Sequence, residues 1–197
     1  MTRSPVIGFP AAGKYTIAGA LAGIATDDHV VVVDNHHTSN VIFEVVGVAG
    51  SGQIAQAVWD RVDDVRDVVL RAIEELSPAD WSFVFTNVLT DDHGTAQRTM
   101  DRLALLACRR RSLYVPIRLH CDLDELVGRV DNESRRQRMK WTEAAEVRAF
   151  VLSRRLFEPA GHVPFDLDVT SLAPETAARI ILDEIERRAA EENLPSA

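Results

Sequence analysis

The chain has 197 residues, 46% of them hydrophobic, with 30 Asp and Glu against 22 Lys and Arg for a formal charge of -8. That length and apolar content suit one domain with one substantial core, while the acidic balance disfavours a nucleic-acid surface, which needs a net excess of cations to displace counterions. No run of eighteen uncharged apolar residues occurs, so no membrane partner is expected; Cys108 and Cys121 form neither a disulfide framework nor a metal pair and are expected as small buried residues of a reduced, cytoplasmic protein.

The first apolar strand, Pro5 to Ile7, runs into Gly8-Phe9-Pro10-Ala11-Ala12-Gly13-Lys14-Tyr15-Thr16, with a helix expected over Lys14 to Ile24. Two glycines that bracket four residues and precede a lysine let successive backbone N–H groups curl around a phosphate while the ammonium reaches its outer oxygens. The helix N-terminus adds free N–H donors and its dipole. Tyr15 stands where a Ser or Thr hydroxyl ordinarily meets Mg²⁺, with Thr16 one step later. A second strand, His29 to Val33, leads into the polar run Asp34-Asn35-His36-His37-Thr38-Ser39-Asn40, read as a substrate-facing loop. There Asp34 can orient an attacking hydroxyl, and Asn35 and His36 can fix the remaining polar groups. Zinc is not expected, because the adjacent His36 and His37 do not converge on one metal.

The helix expected over Ile54 to Leu76 repeats Ile54, Val58, Val62, Val65, Val69, Ile73 and Leu76 at helical spacing, a stripe directed at the core. The third strand, Trp81 to Thr86, lacks the terminal Asp that holds Mg²⁺ in many nucleotide-hydrolysing enzymes, and Asp91 and Asp92 beyond it read as a solvated loop. A helix over Thr95 to Cys108 carries Arg98 and Arg102, which face either the rim of the sheet or solvent, and closes on Arg109-Arg110-Arg111, where cations complement its dipole. After a strand at Leu113 to Leu119 and a helix at Leu123 to Val130, five cations (Arg129, Arg135, Arg136, Arg138 and Lys140) fall within twelve residues. Grouped cations on such an excursion suit a flap that neutralises charge during phosphoryl transfer. A helix at Thr142 to Phe157, a strand at Phe165 to Val169 and a helix at Pro174 to Glu191 complete the chain.

Apolar strands alternating with helices predict a three-layer α/β/α fold around a five-stranded parallel sheet, in a single domain over residues 1–197 with a helical lid over residues 128–142. With parallel strands, the segments after each strand converge on one rim. In chain order these segments resemble those of the P-loop small-molecule kinases of the shikimate kinase and nucleoside monophosphate kinase type: Gly8 to Thr16, Asp34-Asn35-His36, Arg129 to Arg136, and Asp168-Val169-Thr170-Ser171-Leu172-Ala173-Pro174. The resemblance implies a central loop-bearing strand and ATP with Mg²⁺ as cofactors. It also implies that Thr170, Ser171 and Pro174 lie beside the adenine base. On this reading Gly8, Ala11, Ala12, Gly13, Lys14 and Tyr15 cradle the phosphates, and Thr16 meets phosphate or Mg²⁺. Asp34 orients the acceptor, and Arg129, Arg135 and Arg136 stabilise the transferring phosphoryl. The Gly-Lys-x-Thr ending is similar to that of adenylate kinases. The expected activity is ATP-dependent phosphorylation of a small hydroxylated metabolite or nucleotide by a monomer or homodimer. A non-catalytic ATP-binding module of the same fold is the second reading, prompted by Tyr15 and the missing acidic strand end.

Overall fold

Among the described residues six strands, β1 (Thr2–Gly8), β2 (Val30–Asp34), β3 (Ser82–Asn87), β4 (Leu113–Tyr114), β5 (Ile117–His120) and β6 (Phe165–Asp168), pair entirely in parallel. The computed structural model describes residues 2–25, 29–48, 54–91, 95–131, 133–137 and 140–192, so that Asp92 and Arg138 lie outside the described residues. The sheet order is β2-β3-β1-β5-β6, with β4 also paired to β1. The loop-bearing strand is thus central, and every strand end points to the same rim. The run Leu113 to Leu119, expected as one strand, is two. It breaks at Pro116, which has no N–H for the ladder and whose carbonyl instead accepts from Phe165 N at 2.8 Å.

Successive strand residues point to opposite faces, and helices cover both. On one face Val6 and Val84 pack with Ile17, Ala18 and Leu21 of α1 (Lys14–Ile24) and with Ala177, Ala178 and Ile181 of α8 (Pro174–Glu192). On the other, Phe83 and Phe85 meet Ile73 of α3 (Gln56–Leu76) and Leu103 and Leu106 of α4 (Thr95–Arg109), while Ile7 meets Ala96 and Met100. The expected three layers are present.

Other local expectations change as well. The polar run after β2 is not a loop but the first turn of α2 (Asn35–Val46): Asp34 caps it by accepting from His36 N at 3.2 Å, and Thr38 and Ser39 donate back to the Asn35 carbonyl. The stripe on α3 buries Val62 and Ile73, yet Leu76, the last residue of the helix, is 80% exposed. Arg110 serves the end of α3 rather than of its own helix, donating to the carbonyls of Ile73 (2.6 Å), Ser77 (3.2 Å) and Pro78 (2.5 Å). Neither cysteine is buried, since Cys108 is exposed on the outer face of α4 and Cys121 is half-buried.

Beyond the sheet lie α5 (Leu123–Gly128), α6 (Glu133–Arg136) and α7 (Ala144–Leu152). The last is shorter than the expected Thr142 to Phe157. After Ser153 the chain extends and pairs with the segment following β3, through an antiparallel bridge between Leu156 and Thr90 and a bond from Phe157 N to Leu89 O at 3.0 Å. Asp91 joins this pairing by accepting from Arg155 N at 3.3 Å. No described helix is long and apolar enough to cross a membrane.

Candidate active site

The loop between β1 and α1 is a tight curl. Ala12 N donates to Phe9 O at 3.2 Å, and Ala11 and Gly13 adopt left-handed backbone with φ of 67° and 80°. Gly13 relieves one of these positions, whereas Ala11 carries a penalty of about 1 kcal/mol. Gly8 permits the close approach of the loop to β5: a Cβ there would stand 3.3 Å from both the Leu119 carbonyl and the Ala12 Cβ. Gly13 occupies the N-cap of α1 with no side chain to satisfy the first-turn N–H groups, and the first helical bond is Ile17 N to Gly13 O at 2.9 Å. The N–H groups of Lys14, Tyr15 and Thr16 precede that bond at the positive end of the helix.

Lys14 turns back into this curl, its Nζ donating to the carbonyls of Gly8 and Phe9, both at 2.8 Å. Burial pushes its ammonium pKa down to about 7, and the neighbouring charges of Lys140 and Arg135 add to the depression while Asp34 opposes it. Four charged groups from three parts of the chain therefore gather beside the loop.

Asp34 accepts three hydrogen bonds. Its Oδ1 accepts from His36 N and from Thr86 Oγ1 at 3.0 Å, and its Oδ2 accepts from Lys140 Nζ at 2.7 Å. Burial raises its pKa, but the hydrogen bond and charge of Lys140 and the His36 amide outweigh it, so the carboxyl titrates below its ordinary value. Lys140 also lies over the Tyr15 ring, 4.9 Å from its centroid. Tyr15 thus faces an ammonium at the position expected to face a metal.

The lid residues divide three ways. Arg135 donates from Nε and Nη2 to the Trp141 carbonyl, and Lys140 N donates to the Arg135 carbonyl, which binds α6 to the segment delivering Lys140. The root of this segment is aromatic, Trp141 against Phe150 (5.1 Å) and Phe150 against Phe9 of the loop (6.3 Å). Arg136 instead pairs with Asp131 and Glu133 on an exposed face and is not brought to the cluster. Arg129 pairs with Glu125 at 2.8 Å, donates to Thr170 O at 2.8 Å, and forms a wall of a separate cleft.

That cleft has a volume of about 260 Å³ and is lined by Gly13, Thr16, Ile17, Arg129, Val169, Leu172 and Pro174. It brings the helix start together with the segment after β6, where Pro174 lies in the wall, Thr170 holds the segment through Asp122 N at 2.9 Å, and Ser171 is exposed. Thr16, expected at a metal, stands in this wall beside Arg129. Among the described residues no group of three or more His, Cys, Asp or Glu is set to hold a metal ion. Mg²⁺ is commonly held by one or two carboxylates together with phosphates and water. As arranged, Asp34 already accepts two bonds on Oδ1 and holds the Lys140 ammonium on Oδ2, and Tyr15 has no aliphatic hydroxyl, so with that cation in place these two residues do not fit direct ligation of Mg²⁺.

On the opposite side of Asp34, beyond the ends of β2 and β3, a recess is lined by Asp34, Asn35, Thr38, Asn87, Arg66 and Arg102 over an apolar floor including Phe85 and Leu103. Its enclosed part is about 20 Å³, room for about one water. Arg66 is half-buried and pairs with Asp63, and Arg102 pairs with Asp67 at 3.2 Å. His36 lies alongside with Nδ1 3.1 Å from Asn40 Oδ1, its pKa lowered chiefly by burial. Sequence spacing left Arg66 unnoticed inside an amphipathic helix and Arg102 undecided. Lys140 was visible only as one cation in a run, because its partner lies 106 residues away.

A central loop-bearing strand, a lysine in a left-handed curl and the order β2-β3-β1-β5-β6 define the architecture. A gluconokinase of Sinorhizobium meliloti superposes with a TM-score of 0.60 at 16% identity, over 100% of this chain and 98% of its own. The fold is that of the P-loop small-molecule kinases. A thymidylate kinase of Candida albicans (TM-score 0.55, 14% identity, 95% of this chain and 92% of its own) and a sugar kinase of a Janibacter species (0.53, 17%, 96% and 98%) share it. No family model and no curated protein matches the sequence. At such identities the P-loop kinase likeness establishes architecture, and the chemistry must come from the side chains above.

Proposed function

We propose that this chain is an ATP-dependent phosphotransferase that moves the γ-phosphoryl group to a hydroxyl of a small metabolite. The observation that carries this reading is the convergence of Lys14, Arg135 and Lys140 with the buried Asp34 beside a left-handed loop at a helix N-terminus. The 260 Å³ cleft suits the nucleoside, with Arg129 and Thr16 on its phosphate side and Leu172 and Pro174 toward the base. The loop N–H groups and Lys14 bind the terminal phosphates. The acceptor oxygen attacks the γ-phosphorus, the bond to the β-phosphate bridging oxygen breaks, and the hydroxyl proton passes through Asp34 to solvent. The products are ADP, a phosphate ester and one proton. Positioning and electrostatic stabilisation supply most of the rate, and Mg²⁺ enters with the triphosphate, with no residue of the chain assigned to it.

The acceptor enters at the recess beyond β2 and β3, which must widen from its 20 Å³ to admit more than a water-sized group, and whose Arg66 and Arg102 suit a hydroxylated metabolite that also carries a carboxylate or phosphate. The test is phosphoryl transfer from γ-labelled ATP across neutral and anionic hydroxylated metabolites, wild type beside Lys14→Ala. Acceptor-dependent ADP formation in the wild type alone is expected; tight ATP binding with no transfer to any acceptor or to water overturns the proposal. That result would select the second reading, a non-catalytic nucleotide-binding module, which the commitment of Asp34 to Lys140 favours.

A further inference from the structure

Lys140 is the cation the observations single out. It reaches Asp34 across 106 residues at 2.7 Å, with its side chain 14% exposed and that of Asp34 2% exposed. It lies over Tyr15, the residue that follows the loop lysine, and its charge bears on Lys14 itself. One ammonium therefore touches the acceptor side and the phosphate side of the site at once.

The charges of Lys140 and Arg135 both bear unfavourably on the Lys14 ammonium, and the single carboxylate of Asp34 offsets only part of that. A terminal phosphate set in the loop brings further negative charge to the same point. Asp34 meanwhile keeps one lone pair for an acceptor hydroxyl, on Oδ2 and beside the ammonium that draws on the same oxygen, since Oδ1 already accepts two bonds. Both constraints are relieved by one movement, the transfer of the ammonium from the carboxylate to the phosphate.

We infer that Lys140 is a γ-phosphate-binding residue that exchanges Asp34 for the terminal phosphate of ATP, so that the nucleotide itself frees Asp34 for the acceptor. This rests on the kinase reading and adds to it an order of events: the triphosphate opens the acceptor site, and a diphosphate, lacking the terminal group, leaves the Asp34–Lys140 pair in place. No covalent change is involved in the exchange. The lid is the carrier, since Lys140 N is bonded to the Arg135 carbonyl and the adjoining Trp141 is anchored through Phe150 to Phe9.

The experiment is a calorimetric comparison of ATP with ADP, each with equimolar Mg²⁺, for wild type, Lys140→Met, Lys140→Arg and Asp34→Asn/Lys140→Met. The wild type should prefer ATP by about tenfold, as expected for one charge-assisted hydrogen bond. The preference should vanish in Lys140→Met and return largely in Lys140→Arg. Lys140→Met leaves a buried carboxylate without its counterion and is at risk of misfolding; the double variant removes both charges and should likewise show no preference. A preference retained in the double variant overturns the inference while leaving nucleotide binding intact. Failure of the wild type to bind either nucleotide overturns the kinase reading together with it.

Discussion

Raising the pH is the sharpest perturbation of this site, because Lys14 is held near neutrality by burial and by the charges of Lys140 and Arg135. Nucleotide phosphate beside the ammonium restores its preference for the charged form, toward the ordinary value of 10.5 from about 7. At about pH 8 the free protein keeps Lys14 roughly one-tenth protonated and the complex keeps it almost fully so, and binding should therefore take up about 0.9 proton. Affinity for ATP should fall by up to about tenfold per pH unit above neutrality. Calorimetry in buffers of differing ionisation enthalpy counts the proton directly, and Lys14→Ala should abolish the uptake. Measurable binding with less than about 0.2 proton taken up in the wild type, or equal uptake in the variant, would refute the reasoning. Folding stability responds to the same group with opposite sign. Between about 7 and 10.5 the unfolded chain holds a proton that native Lys14 has lost, so this site's contribution to stability rises with pH.

Gly13→Ala should cost about 1 kcal/mol in urea unfolding, because alanine is strained at a φ of 80°, and should weaken ATP binding as the curl shifts. Arg110→Ala should lower stability by about 2 kcal/mol by stripping the last carbonyls of α3 of a charged donor, with ATP affinity unchanged. Asp34 is held below its ordinary pKa, so the stabilisation from its pair with Lys140 is complete above about pH 4 and is lost as pH falls through the native value. An acid titration of the urea midpoint should show that component in the wild type and not in Asp34→Asn/Lys140→Met.

Architecture was legible in the sequence wherever one element carried its own signal. Apolar strands such as Val30 to Val33, the helical stripe around Val62 and Ile73, and the Gly8 to Lys14 spacing each determine structure locally. Helix α2 was hidden because its first turn is polar and its later residues, Val41, Val45 and Val46, are β-branched and exposed, giving no stripe toward the core. Pro116 was the readable mark of the break between β4 and β5. The site was legible in its parts and not in its pairings. Asp34 and the lid cations were recognisable by type, but separating Lys140 and Arg135 from Arg136 requires knowing which way a four-residue helix faces. Arg110 teaches the same lesson, since its partners belong to a neighbouring helix more than thirty residues earlier.

The melting temperature with and without ATP tests the phosphate loop most directly. At a hundredfold excess over the dissociation constant, wild type should gain about 5–10 °C, and Lys14→Ala should gain almost nothing at the same ATP concentration. An unmoved wild-type transition in millimolar ATP, or an equal rise in the variant, would contradict the assignment of Gly8 to Thr16 as the nucleotide cradle.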